Sequence, residues 1–267
     1  MNRLTQAFAA ARAEKRKLLC PFLTAGYPSV GATAELLLAA QEGGAGIIEV
    51  GIPFSDPIAD GPVIAASYTQ ALLGGITVDK SLTAVAAARK LGVTIPVLAM
   101  VSFSIIFKRG TAEFAKACAD QGIDGLVLPD VPLEEAPAIV DAVREAGLRS
   151  ALLVAPTSPA SRRAAIGRLC DGFVYYLSVS GITGERKNLP ADIGPNVAEL
   201  RQVTDVPICV GFGISTAEQV REVTAFADGA IVGSALIRRL SEAGAAAEGQ
   251  IEAVRGCVAA LARGLVA

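Results

Sequence analysis

Two carboxylates in the 267-residue chain sit where ordinary packing would not place them. Glu49 interrupts the apolar run Ile47-Ile-Glu-Val-Gly51. A carboxylate buried there without a partner is costly, and desolvation raises its pKa towards what a general acid needs near neutral pH. Asp60 follows eleven positions later, in the loop Pro53-Phe-Ser-Asp-Pro-Ile-Ala-Asp-Gly61. Prolines at 53, 57 and 62 stiffen that segment in places, yet it is too long for a simple turn, and loops of this kind often act as lids. Spacing alone leaves other roles open. Glu49 could meet a structural partner, and Asp56 and Asp60 could cap helices or face solvent.

Glycine-bearing segments supply a second signal. Gly181-Ile-Thr-Gly184, Gly211-Phe-Gly213-Ile-Ser215 and Gly233-Ser234 each follow a short apolar run. Glycine lets backbone approach an anion closely, and amides at a following helix start add donors and a positive dipole. Glycine is also common in turns for no functional reason, but three such segments together point to a phosphorylated small-molecule ligand.

What positions these residues is a repeating unit. Apolar runs of the fully buried strand type cover 18–23, 47–51, 97–101, 125–128, 151–154, 173–177, 208–211 and 230–232. None alternates as a half-exposed strand does. Helix-compatible stretches lie between them at 32–42, 79–91, 111–121, 133–146, 161–169, 197–203, 216–226 and 249–263. Ser215-Thr-Ala-Glu218 reads as a capping box, Thr111-Ala-Glu113 as a helix start, and Gly122 and Gly147 as helix stops. Strand-to-strand spacings of about 25–35 residues are those of βα units, with one wider gap between the second and third strands. Eight units in one domain spanning 1–267 predict an α/β fold, a (β/α)8 TIM barrel with an extra N-terminal helix. A doubly wound open sheet is the runner-up, because strand count does not prove closure. In such a barrel the active site lies at the C-terminal ends of the strands, and phosphate sits after strands seven and eight.

Composition removes other chemistries. The chain has no histidine, which excludes His-centred triads, imidazole bases and His-ligated metal, so no metal is expected. Of the lysines at 15, 17, 80, 90, 108, 116 and 187, only Lys108 and Lys187 fall near the expected mouth, and none lies at a strand end as a Schiff base requires. Five scattered cysteines (20, 118, 170, 209 and 257) form no C-x-x-C pair and read as reduced thiols in apolar surroundings. Lys+Arg of 24 against Asp+Glu of 26, no Trp and 5% aromatics argue against nucleic acid. The uncharged stretch 91–107 is shorter than the ~20 residues of a membrane span and divides into a strand and its following loop. Residues 2–17 suit an amphipathic surface helix better than a signal sequence, so a soluble cytoplasmic protein is expected. Acid–base catalysis by carboxylates on a phosphorylated substrate survives.

The segments Pro21-Phe-Leu-Thr-Ala-Gly-Tyr-Pro28, Glu49-Val-Gly-Ile-Pro-Phe-Ser-Asp-Pro-Ile-Ala-Asp-Gly-Pro62, Pro129-Asp-Val-Pro132, Leu177-Ser-Val-Ser-Gly-Ile-Thr-Gly184, Gly211-Phe-Gly-Ile-Ser215 and Gly233-Ser234 together resemble the tryptophan synthase alpha subunits. The second of these is highly specific, and the likeness runs over nearly the whole chain. The resemblance implies retro-aldol cleavage of indole-3-glycerol phosphate to indole and glyceraldehyde 3-phosphate. Glu49 would be the acid–base group at indole C3, and Asp60 would hold the indole N–H. Tyr175 and Thr183 would position substrate, Phe22, Ile64 and Phe212 would line its pocket, and amides near Gly184, Gly213, Gly233 and Ser234 would hold phosphate. It also implies no cofactor in this chain, and a pyridoxal-phosphate-bearing beta subunit in an alpha2-beta2 tetramer, contacted through the Phe54–Asp60 loop and the segment around Pro132. One departure stands out. The third-strand loop reads Ser102-Phe-Ser-Ile105, where the family usually shows tyrosine and asparagine, which bears on pocket shape and coupling. Two alternatives remain at this stage: a catalytically weak barrel acting as the allosteric binding subunit of a beta partner, and another phosphate-binding barrel enzyme of the same pathway.

Overall fold

The computed structural model describes residues 1–58, 60–178 and 189–265. Eight parallel strands, β1 (Leu18–Thr24), β2 (Ile48–Gly51), β3 (Val97–Met100), β4 (Gly125–Leu128), β5 (Arg149–Val154), β6 (Phe173–Leu177), β7 (Ile208–Gly211) and β8 (Gly229–Val232), close into a barrel in chain order. β1 pairs with both β2 and β8, so the sheet has no edge and the open-sheet alternative falls away. All seven residues of β1 are buried, as are all of β2, β3, β4, β7 and β8. That two-sided burial is why the strands read as unbroken apolar runs.

The helices surround the barrel: α1 (Arg3–Ala13), α2 (Thr33–Glu42), α3 (Pro62–Leu73), α4 (Val78–Leu91), α5 (Phe103–Arg109), α6 (Thr111–Asp120), α7 (Ala136–Glu145), α8 (Ala160–Leu169), α9 (Ile193–Arg201), α10 (Ala217–Thr224), α11 (Ser234–Glu242) and α12 (Ala247–Ala262). The extra N-terminal helix is α1. It is fastened at the N-terminal end of the barrel: Asn2 donates to the Asp124 and Gly147 carbonyls (2.8 and 3.0 Å), and Phe8 packs on Phe173 at 6.1 Å. Below β3 and β4, Asp124 accepts from Arg3 (3.0 Å), Arg89 (2.6 Å) and the Val97 amide (2.9 Å). A buried carboxylate with three charged or amide donors is a satisfied one, and it pins this end of the barrel.

The structure corrects the sequence reading in several places. The wide gap after the second strand holds two helices, α3 and α4. The stretch expected as a loop after the third strand contains α5, and α11 opens directly on Gly233. α9 starts at Ile193 rather than 197, because Pro195 falls in its first turn, where a missing N–H costs little. α7 starts at Ala136 rather than 133, after a turn closed by Glu135 N–H to Pro132 C=O (3.0 Å). The capping box of α10 is formed by Thr216 and Gln219, one residue beyond Ser215 and Glu218. Gly122 and Gly147 do take left-handed conformations (φ +81° and +80°) at the ends of α6 and α7. Among the described residues no single helix is long and apolar enough to cross a membrane.

Candidate active site

Strand geometry places Glu49. On β2, Glu49 and Gly51 share a face, and Glu49 is 1% exposed inside the barrel, beside Phe22 of β1 and Leu98 of β3 in register. Its Oε1 is buried with no hydrogen-bond partner in the protein. Desolvation, and then the charge of Asp60, pushes its pKa from 4.5 up to about 8. Asp60, at the end of the β2–α3 loop, is only partly buried. Desolvation followed by repulsion from Asp130 raises it from 3.8 to about 7. Two neighbouring carboxyls thus ionise around neutrality without histidine, which is what acid–base chemistry requires.

Both carboxyls line one cavity at the C-terminal end of the barrel. Phe22, Ile64, Tyr175, Phe212, Gly213, Gly233 and Ser234 line it too, so the structure brings together nine of the eleven residues singled out in the sequence. Thr183 and Gly184 lie outside the described residues. Met100, Ile214 and Ile231 complete the wall and escaped the sequence reading. Met100 and Ile231 lie on strands read only as core, where inward residues of a barrel interior and of its mouth look alike.

The side of the cavity formed after β7 and β8 is built largely from backbone. Phe212 (φ +76°) and Gly213 (φ +76°) take consecutive left-handed conformations after β7, which is unusual for the phenylalanine. The turn is held by the Ser178 hydroxyl donating to the Phe212 carbonyl, and the Phe212 ring meets Tyr175 edge-on at 6.0 Å and 79°. The N-terminus of α10 is occupied by its own side chains: the Gln219 carbonyl oxygen accepts from the Ser215 and Thr216 amides at 2.8 and 3.2 Å. α11 has no side-chain cap at Gly233, so its first amides at the cavity are the ones suited to an anion.

The third-strand loop is ordered by Asp130, which accepts from the Ser102 hydroxyl and the Phe103 amide, both at 2.7 Å, and so caps α5. Burial raises the thiols of Cys20 and Cys209 well above their ordinary range and pushes Cys118 and Cys170 up to about 12, so none of these four offers a thiolate. Among the described residues no group of three or more Cys, Asp or Glu is placed to hold a metal ion.

Comparisons with known proteins show the family of the chain. Residues 8–264 match the family described as Tryptophan synthase alpha chain. The alpha chain of Synechococcus elongatus is 44% identical over 245 residues, covering 91% of this chain and 92% of that protein. That of Laribacter hongkongensis is 41% identical over 254 residues, covering 95% and 96%. Among solved structures, tryptophan synthase of Mycobacterium tuberculosis superposes with a TM-score of 0.89 at 37% identity, covering 99% of this chain and 98% of that one. Subunit alpha from Legionella pneumophila gives 0.87 at 33%, covering 99% and 98%. With its barrel, its paired carboxyls and this likeness over nearly its full length, the chain belongs to the tryptophan synthase alpha chain family.

Proposed function

We propose that Glu49 and Asp60 carry the family's lyase reaction, cleavage of indole-3-glycerol phosphate to indole and glyceraldehyde 3-phosphate, with Glu49 transferring the protons and Asp60 stabilising the charge on the ring. The observation that supports this most is the Glu49 carboxyl, buried in the cavity with one oxygen unpartnered and a pKa of about 8. As the protonated acid it delivers a proton to indole C3. The ring nitrogen becomes cationic, and ionised Asp60 accepts its N–H and stabilises the charge. Glu49, now a carboxylate, takes the proton from the hydroxyl on the carbon attached to C3. The C–C bond breaks, its electron pair returns to the ring, and indole and the aldehyde form with the acid regenerated. Protonated indole is its own electron sink, so no metal, Schiff base or cofactor is needed in this chain.

Phe22, Ile64 and Phe212 give the ring an apolar slot, and Tyr175 and Thr183 orient the chain of the substrate. The amides around Gly184, Gly213, Gly233 and Ser234 hold the phosphate. The family works with a beta subunit. We extend this to a cytoplasmic alpha2-beta2 tetramer, with pyridoxal phosphate confined to the beta partner. The test is indole release by the purified protein, alone and with a beta subunit added. Turnover that rises with the partner supports the reading, and Glu49→Gln should abolish it while glyceraldehyde 3-phosphate still binds. Phosphate binding with no indole under either condition refutes the reaction.

A further inference from the structure

Tyr68 is absent from the roles assigned above, yet the packing directs it to the same place. It follows Ile64 by four residues on α3, so the two share a helix face, and Ile64 lines the main cavity. The helix is keyed to β1 beside it: the Ser67 and Thr24 hydroxyls are 2.6 Å apart, and Ser67 also donates to the Ile64 carbonyl at 2.7 Å. Tyr68 is 3% exposed, with its ring 6.5 Å from that of Phe22. A Cβ built on Gly51 would lie 2.5 Å from the Tyr68 hydroxyl oxygen. Gly51 belongs to the inward row of Glu49, two residues further up the strand, or about 6.6 Å. The phenol, together with the edge of the Phe22 ring, therefore fills the layer directly above Glu49, in the space that a side chain at position 51 would take. It also lines, together with Asp60, Met100, Ser102 and Asp130, a small side cavity beside the main one.

Asp60 is surrounded by acids and phenols. Glu49 approaches from β2, Asp130 from the end of β4, Tyr175 from β6 and Tyr68 from α3, with Asp56 of its own loop on the side cavity. Burial, then the charges of Asp60 and Glu49, hold the Tyr68 phenol well above its ordinary pKa, so it keeps its proton throughout the working range. Towards a carboxylate a protonated phenol is a donor. Among the described residues lining this side cavity, the other hydroxyl, that of Ser102, is directed at Asp130.

We infer that Tyr68 is a further positioning residue of this site: its hydroxyl donates to the Asp60 carboxylate in the reacting complex and leaves the other Asp60 oxygen to receive the N–H of the ligand. The inference rests on the function proposed above. It makes α3 part of the catalytic layout, with Tyr68 acting through Asp60 and not on the substrate.

Tyr68→Phe tests it, because the ring and its packing on Phe22 remain. Indole release from indole-3-glycerol phosphate is followed against pH for the unmodified protein and the variant, each with a beta subunit, and thermal unfolding is compared. The expected result is a kcat lower by roughly ten- to hundredfold, the range of one hydrogen bond to a charged group, with KM changed less than about threefold. The acid limb of kcat should move up by roughly one pH unit, since losing a donor makes the Asp60 anion harder to form. An unchanged kcat overturns the inference. A lower kcat with an unmoved acid limb also overturns it, by reducing Tyr68 to a packing residue. If the unmodified protein releases no indole, the functional reading fails first and takes this inference with it.

Discussion

Replacing Glu49 by glutamine is expected to remove the activity of the protein and to raise its stability relative to the parent progressively as pH rises. In the unfolded chain the carboxyl ionises near 4.5, whereas in the barrel it stays protonated to about 8. Between those values the folded state binds one more proton than the unfolded state, so stability falls as pH rises. The loss is about 1.4 kcal/mol per pH unit. It is absent below the unfolded pKa and complete once pH passes the folded one, where it reaches about 5 kcal/mol. Glutamine never ionises and escapes this loss. Its amide brings a donor that the site does not need, at about 1–3 kcal/mol, but that cost is independent of pH and shifts the whole curve without changing its slope. Urea unfolding at pH 5, 6, 7, 8 and 9, followed by circular dichroism because the chain has no tryptophan, gives the difference directly. The variant should gain steadily on the parent from pH 5 to 8 and level off above. Parallel curves for the two proteins would show that Glu49 ionises normally in the folded state, and the case for it as an acid near neutral pH would collapse.

Three other outcomes follow from the same structure. The proposed mechanism requires Glu49 protonated and Asp60 ionised, so kcat/KM should trace a bell with limbs near 7 and 8, and an optimum below pH 6 would rule out this assignment. Gly51→Ala drives a Cβ against Phe22 and to 2.5 Å from the Tyr68 hydroxyl. It should cost about 1–3 kcal/mol of stability and more than about tenfold in turnover, and activity equal to the parent would show that neither ring position matters. Asp124→Ala removes the shared acceptor of Arg3, Arg89 and the Val97 amide at the opposite end of the barrel, at about 3 kcal/mol. Chemical denaturation should detect this loss while kcat at low temperature stays within about twofold of the parent.

The strands were legible in the sequence because a closed parallel barrel buries both of their faces. Ile208–Gly211 and Gly125–Leu128 carry no polar residue to blur their limits. Helix boundaries were less legible because neighbouring residues offer competing caps. Ser215 with Glu218 and Thr216 with Gln219 both satisfy the capping pattern, and the structure takes the second pair, with Thr216 extended and its side chain accepting from the Gln219 amide. α3 escaped notice because it follows the proline-rich loop with no polar cap, and its Gly61 N-cap and Pro62 resemble a continuing loop. That omission hid Tyr68. Within a helix, its place four residues after Ile64 puts it on the cavity face, whereas in a loop the spacing means nothing. Glu49 was visible for the opposite reason, since a carboxyl in a buried strand breaks an otherwise apolar pattern.

The order in which the two carboxyls ionise starts from their ordinary values, 4.5 and 3.8, and burial raises both without reversing it. Glu49 points into the barrel from the middle of β2, and desolvation is the main cause of its rise to about 8. Asp60 comes from a loop at the mouth, and burial followed by the charge of Asp130 raises it by almost as much, from 3.8 to about 7. As pH rises Asp60 therefore loses its proton first. Its charge then helps to retain the proton on Glu49, since Asp60 is the second cause of the Glu49 shift. The state with Asp60 charged and Glu49 protonated is the one in which the deep group can give a proton to C3 while the shallow one receives the cationic N–H. The opposite arrangement, a deep anion and a shallow acid, would place the charge where solvation is poorest and leave the acid facing water. In a chain without histidine, two ordinary carboxyls raised together by an apolar barrel keep their order, so that near neutrality the deep one holds the proton while the one at the mouth is charged.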